Sequence, residues 1–346
     1  MMDKIPYREY KSRDWIGKLN EYIEQGYIRV ASHPTKPLKI YNYTQKTQFE
    51  GFWNEITMAC RGLVLDDEYA VIIKCPKKFF NQGEPYAEEV NLKNAYITEK
   101  LDGYYISVRY DSKYGLIITS RGSFDNKYVD AAKKLLEGKQ FIADDSYFFE
   151  LCQNFPGDEG IIVARHETPK IVMWGKRENY NVWKYNLMGE EWLGFEVAHW
   201  FSPFTDELKR YLEGDVEGVV AIDLDTYKMV KIKTGWYLER HRMISDCTKK
   251  RVWEILRNGE RVCNQNFPDE MIPQMVVWEN ELIEDLRHQY AIIDNLKYLW
   301  ENMDKKQIAL CDRIPLDYKP YLYYMKDGNQ DRAKEFMFKK IIPKFA

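Results

Sequence analysis

Two lysine-bearing stretches are the residues of this sequence best suited to chemistry on an anion. Glu99-Lys100-Leu101-Asp102-Gly103 sets a lysine at the end of an apolar run, directly before an Asp-Gly turn. Lys231-Ile232-Lys233 lies within strand-forming residues, so both ammonium groups point to one face while Ile232 points to the other. Like charges placed in this way repel each other unless an anion lies between them. Each stretch alone also fits an ordinary role: a lysine beside a hairpin turn is simply solvated, and lysines on an edge strand deter aggregation.

Further charges fall where the pattern expects burial or a strand end. Arg61-Gly62 opens RGLVLDD, Glu150 interrupts the apolar run YFFELC, and Glu217-Gly218 opens GVVAID. Burying an ionic group is costly unless it is paired or liganded, so such charges indicate either a polar cleft lined by sheets or a structural ion-pair network. The histidines at 33, 166, 199, 241 and 288 are scattered, and Cys60, Cys75, Cys152, Cys247, Cys263 and Cys311 form no C-x-x-C pair. No zinc set and no Cys/His or Ser/His/Asp nucleophile competes for the chemistry, and a reduced cytoplasmic protein is expected.

The elements that must hold these residues follow from the period of the apolar pattern. From about Ile28 to Asp246, short Val, Ile, Tyr and Phe runs broken by Gly, Asp, Asn and Pro predict strands. YYISVRY (104–110) alternates as a half-buried strand would, with Tyr104, Ile106, Val108 and Tyr110 on one face. Helices are predicted at about 127–137 and 205–212. Past Asp246 the period turns helical, with Leu282, Leu286, Ile293, Leu296 and Leu299 at helical intervals. This predicts an α+β domain over residues 1–245, with antiparallel sheets flanked by helices, and a small all-α carboxyl-terminal domain over 246–346.

The 346 residues are 45% hydrophobic, which excludes a disordered chain. Lys and Arg number 51 against 54 Asp and Glu, a formal net charge of -3, so any site for a polyanion must be local. The start MMDKIPYREYKSRDW lacks the apolar core of a signal peptide, and no run approaches the ~20 apolar residues that span a bilayer. Secretion and membrane partners are not expected.

Taken in order, Arg61, Lys78, Lys100-x-Asp102-Gly103, Glu150, Glu217-Gly218 and Lys231-x-Lys233 resemble the covalent nucleotidyltransferases, the superfamily of polynucleotide ligases and capping enzymes. Within it the chain is most similar to the phage-type RNA ligase 1 family. IYNY, CRGLVLDD, KKFFNQGE, TEKLDG, SRGS, FFEL, EGVV and KIKTGWYLERH, which carry the likeness, span roughly the first 245 residues.

The resemblance implies a nucleotidyltransferase (ATP-grasp-like adenylation) domain, and ATP and Mg²⁺, or Mn²⁺, as cofactors. Lys100 would be the nucleophile that forms lysyl-AMP, its ammonium depressed by burial and by Lys231, Lys233 and the metal ion. Lys231 and Lys233 would hold the α-phosphate, and Arg61 and Lys78 the outer phosphates. Glu150 would accept from the ribose, Glu217 would hold the metal through water, and Trp174 would pack on adenine. Tyr41 and Tyr237 match nucleotide-contacting tyrosines, and Arg121 stands where relatives also carry lysine; Asp102 and Gly103 complete the nucleophile's turn.

The partner implied is RNA with 5′-phosphate and 3′-hydroxyl ends, tRNA included, joined in RNA repair by a monomer, in the host cytoplasm if the protein is viral. A DNA strand-joining ligase would be expected to add an OB barrel, seen as short alternating strands after residue 233, where this sequence is helical. An inactive RNA- or nucleotide-binding protein is the alternative of another class. The tail from Arg332 to Ala346, with Lys or Arg at 332, 334, 339, 340 and 344 and one acid, Glu335, suits either an RNA backbone or the end of a final helix.

Overall fold

β-Branched and aromatic runs between turn residues form the strands of three sheets, and the site is built where those sheets meet. The computed structural model describes residues 12–155, 158, 162–164, 166–178, 182–184, 194–265, 267 and 271–343. The chain divides into two units, Met1–Leu238 and Glu239–Ala346.

In the first unit, β1 (Ile28–Ser32), β2 (Leu38–Tyr43), β3 (Arg61–Asp66) and β4 (Val71–Ile73) pair antiparallel in chain order. Alternation along β2 and β3 divides their side chains between two cores. Leu38, Ile40 and Val64 face one; Tyr41, Leu63 and Leu65 face the other, against Trp15 and Leu19 of the helix Arg13–Glu24. Ser12 caps that helix, accepting from the Trp15 amide, so the helix starts where its apolar stripe does.

The chain then starts a second sheet with β5 (Phe80–Asn81) and β6 (Ala95–Lys100) and leaves it to build a third. The third contains β7 (Tyr104–Asp111), β8 (Gly115–Ser120), β9 (Ser146–Cys152), β10 (Lys170–Glu178), β11 (Val182–Lys184) and β12 (Glu196–Val197). The chain returns to the second with β13 (Trp200–Phe201), β14 (Gly218–Asp223) and β15 (Met229–Lys233), in the order β13-β6-β14-β15-β5. Pairing is antiparallel except for β12 on β10 and β5 on β15. The helices Lys127–Leu135 and Asp206–Leu212 stand close to their predicted spans.

One expectation fails on β7. Read as half-buried, it is buried on both faces except at Tyr110 and, in part, Tyr104, because its sheet is covered on one side by the helix Lys127–Leu135 and on the other by the core shared with the other sheets. Ile106 and Val108 pack with Val129 and Ala132 of the helix Lys127–Leu135, whereas Tyr105 faces the core shared by the three sheets. The polar residues of that second face are satisfied internally: Ser107 Oγ lies 2.7 Å from Thr119 Oγ1, and the Arg109 Nε donates to Asp111 at 2.9 Å.

The described residues of the second unit form helices joined by turns and no strand, with helices at Lys249–Arg257, Ile272–Asn295, Lys305–Leu310, Lys319–Lys326 and Gln330–Lys340. Its core gathers Ile293, Ile308, Ile314, Leu322 and Met337. Of the basic tail, Lys340 is tied inward, 2.8 Å from Asp317 and 3.9 Å above the Tyr318 ring, while Lys344 lies outside the described residues. No helix among the described residues is long and apolar enough to cross a membrane.

Candidate active site

Lys100 ends β6 directly opposite Gly218 of β14, and Gly218 is in turn opposite Lys233 of β15. The strand pairing therefore brings two distant lysines to either side of the Glu217-Gly218 corner. Glu217, buried, accepts from both: its Oε2 is 2.6 Å from Lys100 Nζ and its Oε1 3.0 Å from Lys233 Nζ. Gly218 holds φ +142°, and a Cβ there would collide with the Ile232 carbonyl, so only glycine lets the three strands approach this closely.

Lys100 opens into a cavity of about 470 Å³. Its walls include Arg29, Arg61, Arg121, Lys231, Glu150, Gly103 and Trp174, with Phe79, Tyr105, Val220, Ile222 and Met229 supplying the apolar surface. Two β-bulges aim residues into it. In β3, Tyr41 pairs with Leu63 and Asn42 with Arg61, leaving Gly62 (φ +87°) as the extra residue. That turns Arg61 to the cavity although Leu63 faces the opposite core. In β10, Met173 pairs with Phe149 and Gly175 with Phe148, so Trp174 is the unpaired residue. Its ring stacks on Phe148 at 5.6 Å, and its buried Nε1 donates to nothing.

Among the described residues, five cations gather at this cavity without a carboxylate partner: Arg29, Arg61, Lys78, Arg121 and Lys231. Aromatic faces hold four of them instead, while Arg29 is exposed. Lys78 Nζ sits 5.7, 5.6 and 5.1 Å from the rings of Tyr43, Trp53 and Phe80; Arg61 lies 5.3 Å from Phe79; Arg121 lies 5.4 Å from Tyr43; and Lys231 Nζ lies 4.8 Å from Phe79. The Arg61 Nη1 is buried with no hydrogen-bond partner among the described residues. Burial and the neighbouring Lys100, Lys78 and Arg61 drive the Lys231 ammonium well below its ordinary value. An anion entering here would relieve both the repulsion and the missing hydrogen bonds.

Asp102 is set back from the cavity and positions its rim. Its Oδ2 accepts the amides of Val163 at 2.6 Å and Ala164 at 2.9 Å, and its Oδ1 accepts the Tyr237 hydroxyl at 3.3 Å. Tyr237 is buried, with its ring 4.4 Å below Lys233 Nζ.

Two expectations need correction. Burial lowers the Lys100 ammonium, as anticipated, but the charges of Glu217, Glu150 and Asp102 and the Glu217 hydrogen bond outweigh it, so the group rests above its ordinary value. The carboxylate between Lys100 and Lys233 is what cancels the depression expected from neighbouring cations. Tyr41 does not reach the cavity: it packs in the core beneath the helix Arg13–Glu24. Tyr43, at the end of β2 where the Gly62 bulge bends the strand pair, is the tyrosine beside the cations.

The other residues expected at a site converge: Lys100, Arg61, Arg121, Glu150, Gly103, Trp174 and Lys231 on the cavity wall, Lys78, Glu217 and Lys233 immediately behind it. Arg29 and Tyr43 were missed. Arg29 looks like a solvated residue of an outer strand, and nothing local distinguishes Tyr43 from Tyr41.

Crowded carboxylates mark the metal question. Burial, together with the charges of Glu217 and Asp102, pushes Glu150 up to about 7 even though Lys100 and Arg61 oppose it. Among the described residues no three metal-ligating side chains converge. This donor set fits a hydrated divalent ion shared with phosphate oxygens rather than one held by protein alone.

No protein-family model matches the chain, and no curated protein matches it. Solved structures do. An archaeal ATP-dependent RNA ligase, form 1, is similar over 80% of this chain and 79% of its own, with a TM-score of 0.50 and 14% identity. Form 2 of an archaeal ATP-dependent RNA ligase covers 98% of this chain and 80% of its own, at TM-score 0.49 and 12% identity. A candidate ATP-dependent DNA ligase of Aquifex aeolicus covers 83% and 79%, at TM-score 0.44 and 16% identity. At such identities the likeness speaks to fold, and the form 1 structure carries it: the chain has a mixed α+β fold like that of this ligase, followed by a helical region.

Proposed function

We propose that this protein is an ATP-dependent RNA ligase that works through a lysyl-AMP intermediate. The observation carrying the proposal is the set of five cations without carboxylate partners at a nucleotide-sized cavity into which Lys100 opens.

In the first step the Lys100 ammonium gives a proton to Glu217, 2.6 Å away, and the freed Nζ lone pair forms a bond to the α-phosphorus of ATP. The bond to the bridging oxygen breaks with its electron pair on pyrophosphate, and the second proton that Nζ loses departs with that pyrophosphate. Lys231 and Lys233 stabilise charge on the α-phosphate, and Arg61, Lys78 and Arg121 hold the outer phosphates in line with departure. Trp174 and the apolar wall receive adenine, and Glu150 faces the ribose. Glu217 and Glu150 would hold a divalent metal ion, which when bound adds positive charge at the phosphate oxygens.

In the second step an oxygen of the RNA 5′-phosphate attacks the same phosphorus, the N–P bond breaks and Lys100 is regenerated. In the third, a 3′-hydroxyl oxygen attacks the 5′-phosphorus, its proton is lost and AMP departs. The helical second unit is the part proposed to select RNA, tRNA included. The preference for RNA rests on the ordered motifs and on that helical region.

The test is transfer of label from α-labelled ATP to the protein with Mg²⁺, beside Lys100→Ala, after pyrophosphate has discharged any AMP already attached. Label on the wild type alone supports the chemistry; equal label on both overturns it. Joining of single-stranded RNA ends over a nicked DNA duplex supports the substrate, and the reverse preference assigns DNA instead.

A further inference from the structure

Arg29 and Gly122 form a pair that the motifs do not contain. Arg29, an exposed residue of β1, projects to the cavity wall with no carboxylate partner among the described residues, and its guanidinium occupies the space where a side chain at Gly122 would begin. A Cβ at Gly122 would lie 3.1 Å from Arg29 Cζ and closer still to Nη2. The Gly122 turn is itself fixed: Ser120 N–H donates to the Ser123 carbonyl at 2.9 Å, and Asn126 Nδ2 donates to Ser120 Oγ at 2.8 Å. Arg29 therefore crosses a rigid notch, and it does so beside Arg121.

We infer that Arg29, admitted by the missing side chain of Gly122, is a further phosphate-holding residue of this cavity and grips the outermost phosphates of the nucleotide. The inference rests on the proposed adenylation reading. Arg121 has both Arg61 and Arg29 among its charged neighbours, and Lys78 has Arg61 and Arg121, so Arg29 joins the cluster on the side of the cations assigned to the outer phosphates. That side meets the part of ATP that AMP lacks. Two guanidinium groups side by side without an anion repel each other, and a terminal phosphate offers both a fork of oxygens.

The test measures binding of pyrophosphate and of AMP separately, by calorimetry, to protein carrying Lys100→Ala so that neither ligand reacts. Arg29→Ala is expected to weaken pyrophosphate about tenfold and to leave AMP within twofold. Gly122→Ala, which pushes the guanidinium out of its notch, should match it, and the double variant should lose no more than either single one. Arg29→Lys, which keeps charge but not the fork, should fall between. Unchanged pyrophosphate affinity in Arg29→Ala, or an equal loss for AMP, overturns the inference. Its failure is separable from that of the reaction: a wild type that never takes up label but binds pyrophosphate through Arg29 loses the ligase reading and keeps the subsite. A wild type that takes up label while pyrophosphate ignores Arg29 does the opposite.

Discussion

Lys100 Nζ and Glu217 Oε2 lie 2.6 Å apart, so Lys100 rests as a paired ammonium rather than as a free amine. Removing the charge of Glu217 while keeping its shape should release the amine. In Glu217→Gln, Lys100 is expected to react about tenfold faster with an amine-directed acylating reagent at pH 8, one pKa unit corresponding to that factor. Peptide mapping of the modified lysine reads this out without reference to catalysis. An unchanged rate would mean that burial, not Glu217, sets the state of Lys100.

Glu150 carries a pH-dependent cost of folding. Burial raises its folded value to about 7 from an ordinary 4.5, so between those values the folded chain keeps a proton that the unfolded chain has lost. Stability therefore falls as pH rises through that window. Glu150→Gln should be more stable than wild type by on the order of 1–3 kcal/mol at pH 8. The gain should vanish at pH 4.5. Urea unfolding at several pH values checks both ends.

Gly62 holds the bulge that turns Arg61 inward, and its φ of +87° suits no other residue well. A Cβ there would also press on the Arg121 carbonyl and the Cys75 sulfur, both at 3.3 Å. Gly62→Ala should cost about 1–2 kcal/mol of stability. Its loss of pyrophosphate affinity should be as large as that of Arg61→Ala, because straightening β3 swings the guanidinium away.

Trp174 is expected to act by its face. Trp174→Phe should keep AMP affinity within a few fold, whereas Trp174→Ala should lose roughly ten- to hundredfold, the span of ~1–3 kcal/mol for one base on one ring. Equal losses in the two variants would assign the contact to the indole Nε1, which has no partner in the cavity wall.

Much of the site was legible in the sequence because charge interrupts strands whose other residues are apolar. Lys100, Glu150, Glu217, Lys231 and Lys233 all announce themselves in this way, and the backbone pairing of Lys100 with Gly218 and Gly218 with Lys233 then brings the corner together. What stayed hidden depends on the partner strand. Tyr41 and Tyr43 have the same parity in IYNY, and only the extra residue across the ladder, at Gly62, bends the pair. Arg29 matters through a notch nearly a hundred residues downstream in the chain, which no local period records. The depressed lysine was placed wrongly for a similar reason. Proximity of cations was readable, but the carboxylate between them belongs to a third strand. β7 was misjudged because alternation reports side-chain polarity, not whether a sheet has a covered second face.

The second sheet is left unfinished after β6 and completed only by β14 and β15, once the whole third sheet has been laid down. During synthesis the proposed nucleophile, Lys100, thus leaves the ribosome well before Lys231 and Lys233 exist. At ~5–20 residues per second that interval is on the order of ten seconds. A nascent chain thus carries Lys100 without its partner strands, and the arrival of β15 is the event that completes the proposed site.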